Sequence, residues 1–334
     1  MITRRTAVSL LPLALLPAQA LADTPAPLAP GTPPPLAMVM NSGDATVSVI
    51  NMDTRQVINT LPMLREPSHW ALTPDRTKLY VTDASGNAFF IFDPITGAPM
   101  GHIRIADPYQ LAYTPDEKYL IVNALRLDFV DVYDATTLQM VKRFHTGKKP
   151  SHLDYTPDSK WSFHSMQGSN TLSSFDLTTL TERWTVPIGD TPAGVLFHNG
   201  KILVCIMGEN GIVEADPTTG KITRRQATGE GAHNIFLSDD HSTLYVSNRV
   251  GSTLSALDPV TIEVRRNYPI PGGPDDIGID PQGNIWIALR FAEAVAIMDP
   301  ATGKFDTIPV GRSPHGIFLN TEMHKKGKLT AQEL

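Results

Sequence analysis

The chain has 334 residues, with 34 acidic side chains against 28 basic ones and a formal net charge of −6. That balance excludes a protein whose whole surface grips nucleic acid or an anionic membrane. Hydrophobic residues at 41% and charged residues at 19% exclude general disorder and allow a sizeable core, while a single cysteine, Cys205, excludes an intrachain disulfide.

The first 22 residues read as a signal peptide. Arg4 and Arg5 precede an apolar run from Ala7 to Leu16, and Ala20-Leu21-Ala22 supplies the small residues a signal peptidase reads. This predicts a periplasmic or secreted protein. The run is too short to cross a bilayer, so no transmembrane anchor is expected. The twin arginines match a twin-arginine signal in part, but Ala7-Val8 stands where Phe-Leu is usual, which leaves the Sec and Tat routes both open. Half the positions from Thr24 to Pro35 are proline, so residues 23–35 read as a stiff linker.

From residue 36 onward one unit recurs about every forty residues. Its anchor is clearest at Pro67-Ser-His-Trp-Ala-Leu-Thr-Pro-Asp, Pro108-Tyr-Gln-Leu-Ala-Tyr-Thr-Pro-Asp and Pro150-Ser-His-Leu-Asp-Tyr-Thr-Pro-Asp. More divergent copies begin at Pro192, Ala232, Pro274 and Pro314, making seven. After each anchor strand comes a polar turn, then a β-branched and aromatic run such as Leu79-Tyr-Val-Thr82. A third, alternating strand ends in Asp or Asn, as in Phe89-Phe-Ile-Phe-Asp93. A turn such as Pro94-Ile-Thr-Gly97 then leads to a fourth strand. Four strands per unit of this length predict an all-β, seven-bladed β-propeller.

The ends of the repeat array are complementary. Residues 36–62 supply a second, third and fourth strand without an anchor, and 314–320 supply an anchor strand alone. The two ends are therefore predicted to complete one blade, with the C-terminal strand innermost. Residues 321–334 are left as a polar tail.

Leu79-Tyr-Val-Thr-Asp83 and Leu244-Tyr-Val-Ser-Asn248, each followed by a loop and a strand ending in Asp or a Leu-Asp pair, resemble the repeat that names the YVTN family. The resemblance covers 36–320 and implies a seven-bladed propeller of the exported bacterial type. It implies no one activity, because such propellers host many. The last blades, from Pro274 and Pro314, also resemble streptogramin-lyase-type repeats, without that family's full His and Glu set.

In a propeller the innermost strand begins near the central channel, on the face where ligands are normally held. Aligning the repeats gives an anchor column of Ser68-His69, Tyr109-Gln110, Ser151-His152, Ala193-Gly194, His233-Asn234, Asp275-Asp276 and His315-Gly316. The second strands end at Asn41, Asp83, Asn123, Ser165, Ile206, Asn248 and Leu289, with Arg249 and Arg290 following the last two. His69, His152, His233, Asn234, Arg249, Asp275, Asp276, Arg290 and His315 are thus the candidate ligand-binding residues. Arginine suits an anion, and His with Asp suits proton transfer. His69, His152, His233 and His315 are also candidates for a divalent metal or copper, provided rings from separate blades converge. The alternative for all of them is a structural role lining a wet channel.

Other arrays have plainer readings. Asp93, Asp134, Asp176, Asp216, Asp258 and Asp299 each precede a turn and read as turn formers. His164, Cys205 and Met207 hint at a soft-metal site, but a buried thiol in an inner strand is the simpler account. Asn123 and Asp276 fit part of a lactonase pattern that lacks its Glu. The leading expectation is a monomeric, exported propeller that binds a small ligand or a periplasmic protein partner, with no nucleic acid. The alternative is a channel-top enzyme, a metal-assisted lactonase or lyase, or an accessory subunit of a periplasmic redox system. No complete catalytic set favours the alternative.

Overall fold

A computed structural model describes residues 33–324. The expected signal peptide, most of the Pro-rich linker and residues 325–334 of the expected tail lie outside the described residues. Between them the chain forms 28 strands in seven four-stranded antiparallel sheets. Blades 1 to 6 are continuous in sequence: 67–104, 108–145, 150–187, 192–227, 232–269 and 274–309. Blade 7 combines 36–62 with 314–319. No helix among the described residues is long and apolar enough to cross a membrane.

Burial falls from the axis outward, as the residue pattern requires. Innermost strands such as Pro67–Leu72 and Ala232–Leu237 are buried at every position, whereas outer strands such as Gln56–Pro62 and Pro99–Arg104 are mostly exposed. The Asp array caps turns. Asp93 Oδ1 accepts the amides of Ile95 and Thr96, at 2.8 and 2.9 Å, and the same pair of bonds recurs at Asp134, Asp176, Asp216 and Asp258.

Blade 7 closes as the sequence predicts. Pro314–Leu319 pairs antiparallel with Leu36–Asn41, bringing Met38 opposite Phe318 and Val39 opposite Ile317. The junction with blade 1 is sealed from both sides. Trp70 packs edge-on to Phe318 at 4.9 Å and donates its indole N–H to the Ile317 carbonyl at 2.8 Å. Residues 320–324 continue in a 3-10 turn whose Glu322 is buried, and Arg76 of blade 1 donates to the Met323 carbonyl.

Neighbouring inner strands are also tied by side chains. Gln110 accepts from the Leu153 amide at 2.7 Å, Asp154 from the Phe197 amide at 2.6 Å, and Tyr155 donates to the Ala112 carbonyl at 2.8 Å. Glycine also permits close approach: a Cβ at Gly316 would lie 2.3 Å from the Ser68 carbonyl oxygen.

Phe318 is fully buried at this closure. Phe318→Ala is expected to cost about 3–5 kcal/mol, whereas Met100→Ala on an exposed outer strand should stay within about 0.5 kcal/mol. Urea unfolding of the two variants checks this. Equal effects would show that the terminal strand does not hold the ring.

Candidate functional site: a polar hub on the channel axis

Every innermost strand breaks register at its anchor. The shift falls between Pro67 and Trp70, Pro108 and Gln110, Pro150 and Leu153, Pro192 and Val195, Ala232 and Asn234, and Pro274 and Ile277, and opposite the closing strand between Val39 and Asn41. A β-bulge frees two adjacent residues from strict alternation, so either or both of the pair can face the axis. That geometry turns seven dipeptides into one site.

Rings from four different blades meet. His69 lies 5.4 Å from His152 and 4.6 Å from His315 between ring centroids, and His152 lies 5.2 Å from His233. His233 and His315 are 6.3 Å apart. Blades 1, 3 and 5 are not neighbours, so their rings can touch only near the axis, and His315 of blade 7, which adjoins blade 1, meets His69 and His233 there. Tyr109 of blade 2 joins them, 4.7 Å from His69 and 5.8 Å from His315. Blade 4 offers only Ala193-Gly194, which leaves its sector without a functional side chain.

Asp275 of blade 6 anchors the charged half. Its Oδ1 receives Arg249 Nη2 at 2.6 Å and lies 2.8 Å from His233 Nδ1. Its Oδ2 faces Arg290 Nη1 at 3.6 Å and His315 Nε2 at 3.7 Å. Two guanidinium groups thus flank one carboxylate. Asn234 and Asp276 pair with one another across blades 5 and 6 at 3.3 Å.

The hydrogen bonds assign protons. Arg249 Nη2 also lies 2.6 Å from His233 Nε2 and can only donate, so His233 carries its proton on Nδ1, facing Asp275. His69 Nδ1 lies 3.1 Å from the Tyr109 carbonyl, which can only accept, so His69 is protonated there. Ser68, 3.0 Å from that nitrogen, then donates to His315 Nδ1 at 2.7 Å, and His315 turns its Nε2–H toward Asp275. Among the described residues, buried hub atoms with no hydrogen-bond partner include Asp275 Oδ2, Arg290 Nη1, Arg249 Nε and His152 Nε2. Buried polar groups are rarely left so unless a ligand or water completes them.

For a metal, the donors gathered within reach of one another among the described residues are His233, Asp275 and His315, within 4.8 Å. His69 and His152 belong to the ring cluster but not to this set. Arg249 already occupies the Asp275 oxygen and the His233 nitrogen that a cation would need, and Arg290 adds a second positive charge nearby. The donor set therefore fits a cation poorly and an anion well.

Several polar candidates prove to be scaffolding. Asn123 gives its amide to the Ser151 carbonyl, and its Oδ1 accepts from His164 Nδ1, whose other nitrogen meets Ser162. Cys205 is buried in an apolar cluster, which pushes its thiol up in pKa. Asp83 accepts four backbone amides, from Leu64, Arg65, Glu66 and Gly86, and so fixes the loop entering blade 1. Ser68, Ser151 and Tyr109 do belong to the hub, although they were not among the candidates. The repeated Ser-His pair was the available signal.

Comparison with family models gives a match over residues 3–324 to the YNCE-like beta-propeller. The chain belongs to that family. Over 121 residues it is 31% identical to the seven-bladed beta-propeller protein Rv1057 of Mycobacterium tuberculosis, covering 34% of this chain and 31% of that protein. Over 135 residues it is 26% identical to Antigen Lp49 of Leptospira interrogans, covering 36% of this chain and 30% of that protein. The chain thus spans about a third of the length of these curated relatives. Among solved structures, the dihydro-heme d1 dehydrogenase NirN in complex with DHE superposes with a TM-score of 0.67 at 14% identity, covering 91% of this chain and 78% of that one. The periplasmic gluconolactonase PpgL of Pseudomonas aeruginosa gives 0.68 at 18%, covering 85% and 98%. At these identities the likeness is one of fold.

Burial holds the hub imidazoles neutral. It lowers His69 to about 3 and His233 to about 4, the latter helped by Arg249, and takes His152 and His315 well below the usual range. Burial alone would raise Asp275, but Arg249, His315 and His233 hold it well below the usual carboxylate range. His164 falls to about 3 by burial, while burial lifts Asp154 to about 7.

The sign of the linkage follows. Between the lowered folded values and the ordinary 6.5, the unfolded histidines bind protons that the folded ones do not, so stability rises with pH and is lost as pH falls below 6.5. Asp154 acts oppositely between 3.8 and about 7. At pH 5, unfolding is expected to take up about four protons, five by histidine less one released by Asp154. The slope of unfolding free energy against pH measures this, and His152→Gln should reduce it by about one proton.

Proposed function

We propose that this protein is a binding propeller that holds a small anionic molecule at the mouth of its channel. Arg290 carries the reading. Its guanidinium sits against the Asp275 cluster yet makes no hydrogen bond through Nη1, and it lines an open cleft of about 470 Å³ with Arg65, Glu66, Ser42 and Ser313. In that cleft two guanidinium groups, Arg65 and Arg290, face one carboxylate, Glu66, which leaves it a net positive charge inside an acidic protein. A carboxylate or phosphate oxygen would complete Arg290. Delivery to the periplasm or exterior, from the N-terminal signal, is part of the proposal.

Arg249 and Arg290 should separate stability from binding. Arg249→Ala strands Asp275 and His233 and is expected to lower the melting midpoint by about 5 °C or more. Arg290→Gln breaks no hydrogen bond to Asp275 and should melt like the parent, yet lose about ten-fold or more in affinity for acetate or inorganic phosphate by calorimetric titration. Unchanged anion affinity in Arg290→Gln overturns the reading. So does stoichiometric copper or zinc that survives purification and is lost in His233→Ala, which would replace the anion by a metal.

A further inference from the structure

The channel mouth is built with an apolar rim around its cationic floor. In blades 2, 5 and 6 the turn after the second strand reads arginine then a large apolar residue: Arg126-Leu127, Arg249-Val250 and Arg290-Phe291. The loop entering blade 1 carries the pair reversed, Leu64-Arg65. Leu64, Leu127, Val250 and Phe291 are 52%, 51%, 65% and 65% exposed, a costly display for a surface with no use for it.

Three of these side chains are seated on glycine. A Cβ at Gly273 would lie 2.4 Å from Phe291 Cδ2, one at Gly231 would lie 2.6 Å from Val250 Cγ2, and one at Gly86 would lie 2.8 Å from Leu64 Cβ. Gly231 and Gly273 also have φ of +67° and +71°, a region that excludes most other residues. The adjoining loops therefore leave shelves on which the rim residues rest. Meanwhile the residues before Val250 and Phe291 turn inward: Arg249 reaches Asp275 at 2.6 Å and Arg290 at 3.6 Å. Successive residues of one turn thus serve floor and rim.

We propose that the ligand is amphiphilic: a carboxylate carried on an aromatic or branched apolar group, with its acid on Arg290 and Arg249 and its apolar body against Phe291 and Val250. This rests on the anion reading above and adds the class of molecule. The scale favours a small molecule over a protein. A second cleft of about 470 Å³ is lined by Met207, Glu230, Gly231 and Val250, and both clefts are of the size that takes organic ligands. The acid-binding floor is recessed, with the Arg249 and Arg290 side chains only 18% and 22% exposed, so a flat protein face would reach it poorly.

Calorimetric titration of the purified chain with acetate, phenylacetate and benzylamine tests the proposal. Phenylacetate is expected to bind about ten-fold tighter than acetate and benzylamine not at all. In the Val250→Ser, Phe291→Ser double variant, whose melt reports folding, the preference for phenylacetate should collapse toward one. Equal affinity for the two acids, or a preference that survives the double variant, overturns the amphiphilic ligand while leaving the anion hub standing. No binding of either acid removes the hub reading and this proposal together.

Discussion

The hub depends on one pairing, that of Pro314–Leu319 with Leu36–Asn41. The strand that closes the ring is the innermost strand of its blade, and it carries His315 to the axis. Without it Ser68 loses its hydrogen-bond acceptor, His69 loses the ring against which it packs, and Trp70 loses both the Ile317 carbonyl and Phe318. In a chain with no disulfide, closure is thus both the staple of the fold and the last step in assembling the site. Folding and site formation are one event here, since no blade alone holds more than a fragment of the hub.

What the hub can bind is decided by how its charge is balanced. Asp275 is fully enclosed, and an enclosed carboxylate is tolerable only with compensating partners. Arg249 and His233 satisfy one oxygen. Arg290 and His315 stand off from the other, at distances too long for hydrogen bonds. The imidazoles, kept neutral by burial, contribute directional N–H donors and bare nitrogens rather than charge. The result is a pocket rich in donors whose central carboxylate is already flanked by two guanidinium groups, the opposite of what a cation requires.

Much of this architecture was legible in the residues because a propeller repeats its instructions. The Pro-Ser-His and Thr-Pro-Asp phrases, the Asp-led turns and the mismatched chain ends were enough to give the blade count, the strand order and the closing pair. The site was legible only as a column. Alignment collected the histidines, Asp275 and both arginines, but it could not separate residues that reach the axis from those that do not. Gln110, in the same column as His69 and His152, is turned sideways to bind the Leu153 amide of the next blade, and Asn234 and Asp276 satisfy each other. Tyr109 and the serines reach the axis because of a backbone irregularity that no single residue type announces. The glycine shelves beneath the rim were equally hidden, since Gly273 meets Phe291 across a loop boundary.

That irregularity has a consequence of its own. Because the register slips at the anchor of every blade, the two residues there are released from the apolar alternation that the rest of the strand must obey. Each pair can change its chemistry without emptying or overfilling a core position, and blade 4, with only Ala193-Gly194, shows that a sector can even be left blank. The wheel behaves like a combination lock of seven two-letter dials, in which specificity is rewritten at the axle while the spokes stay as they are.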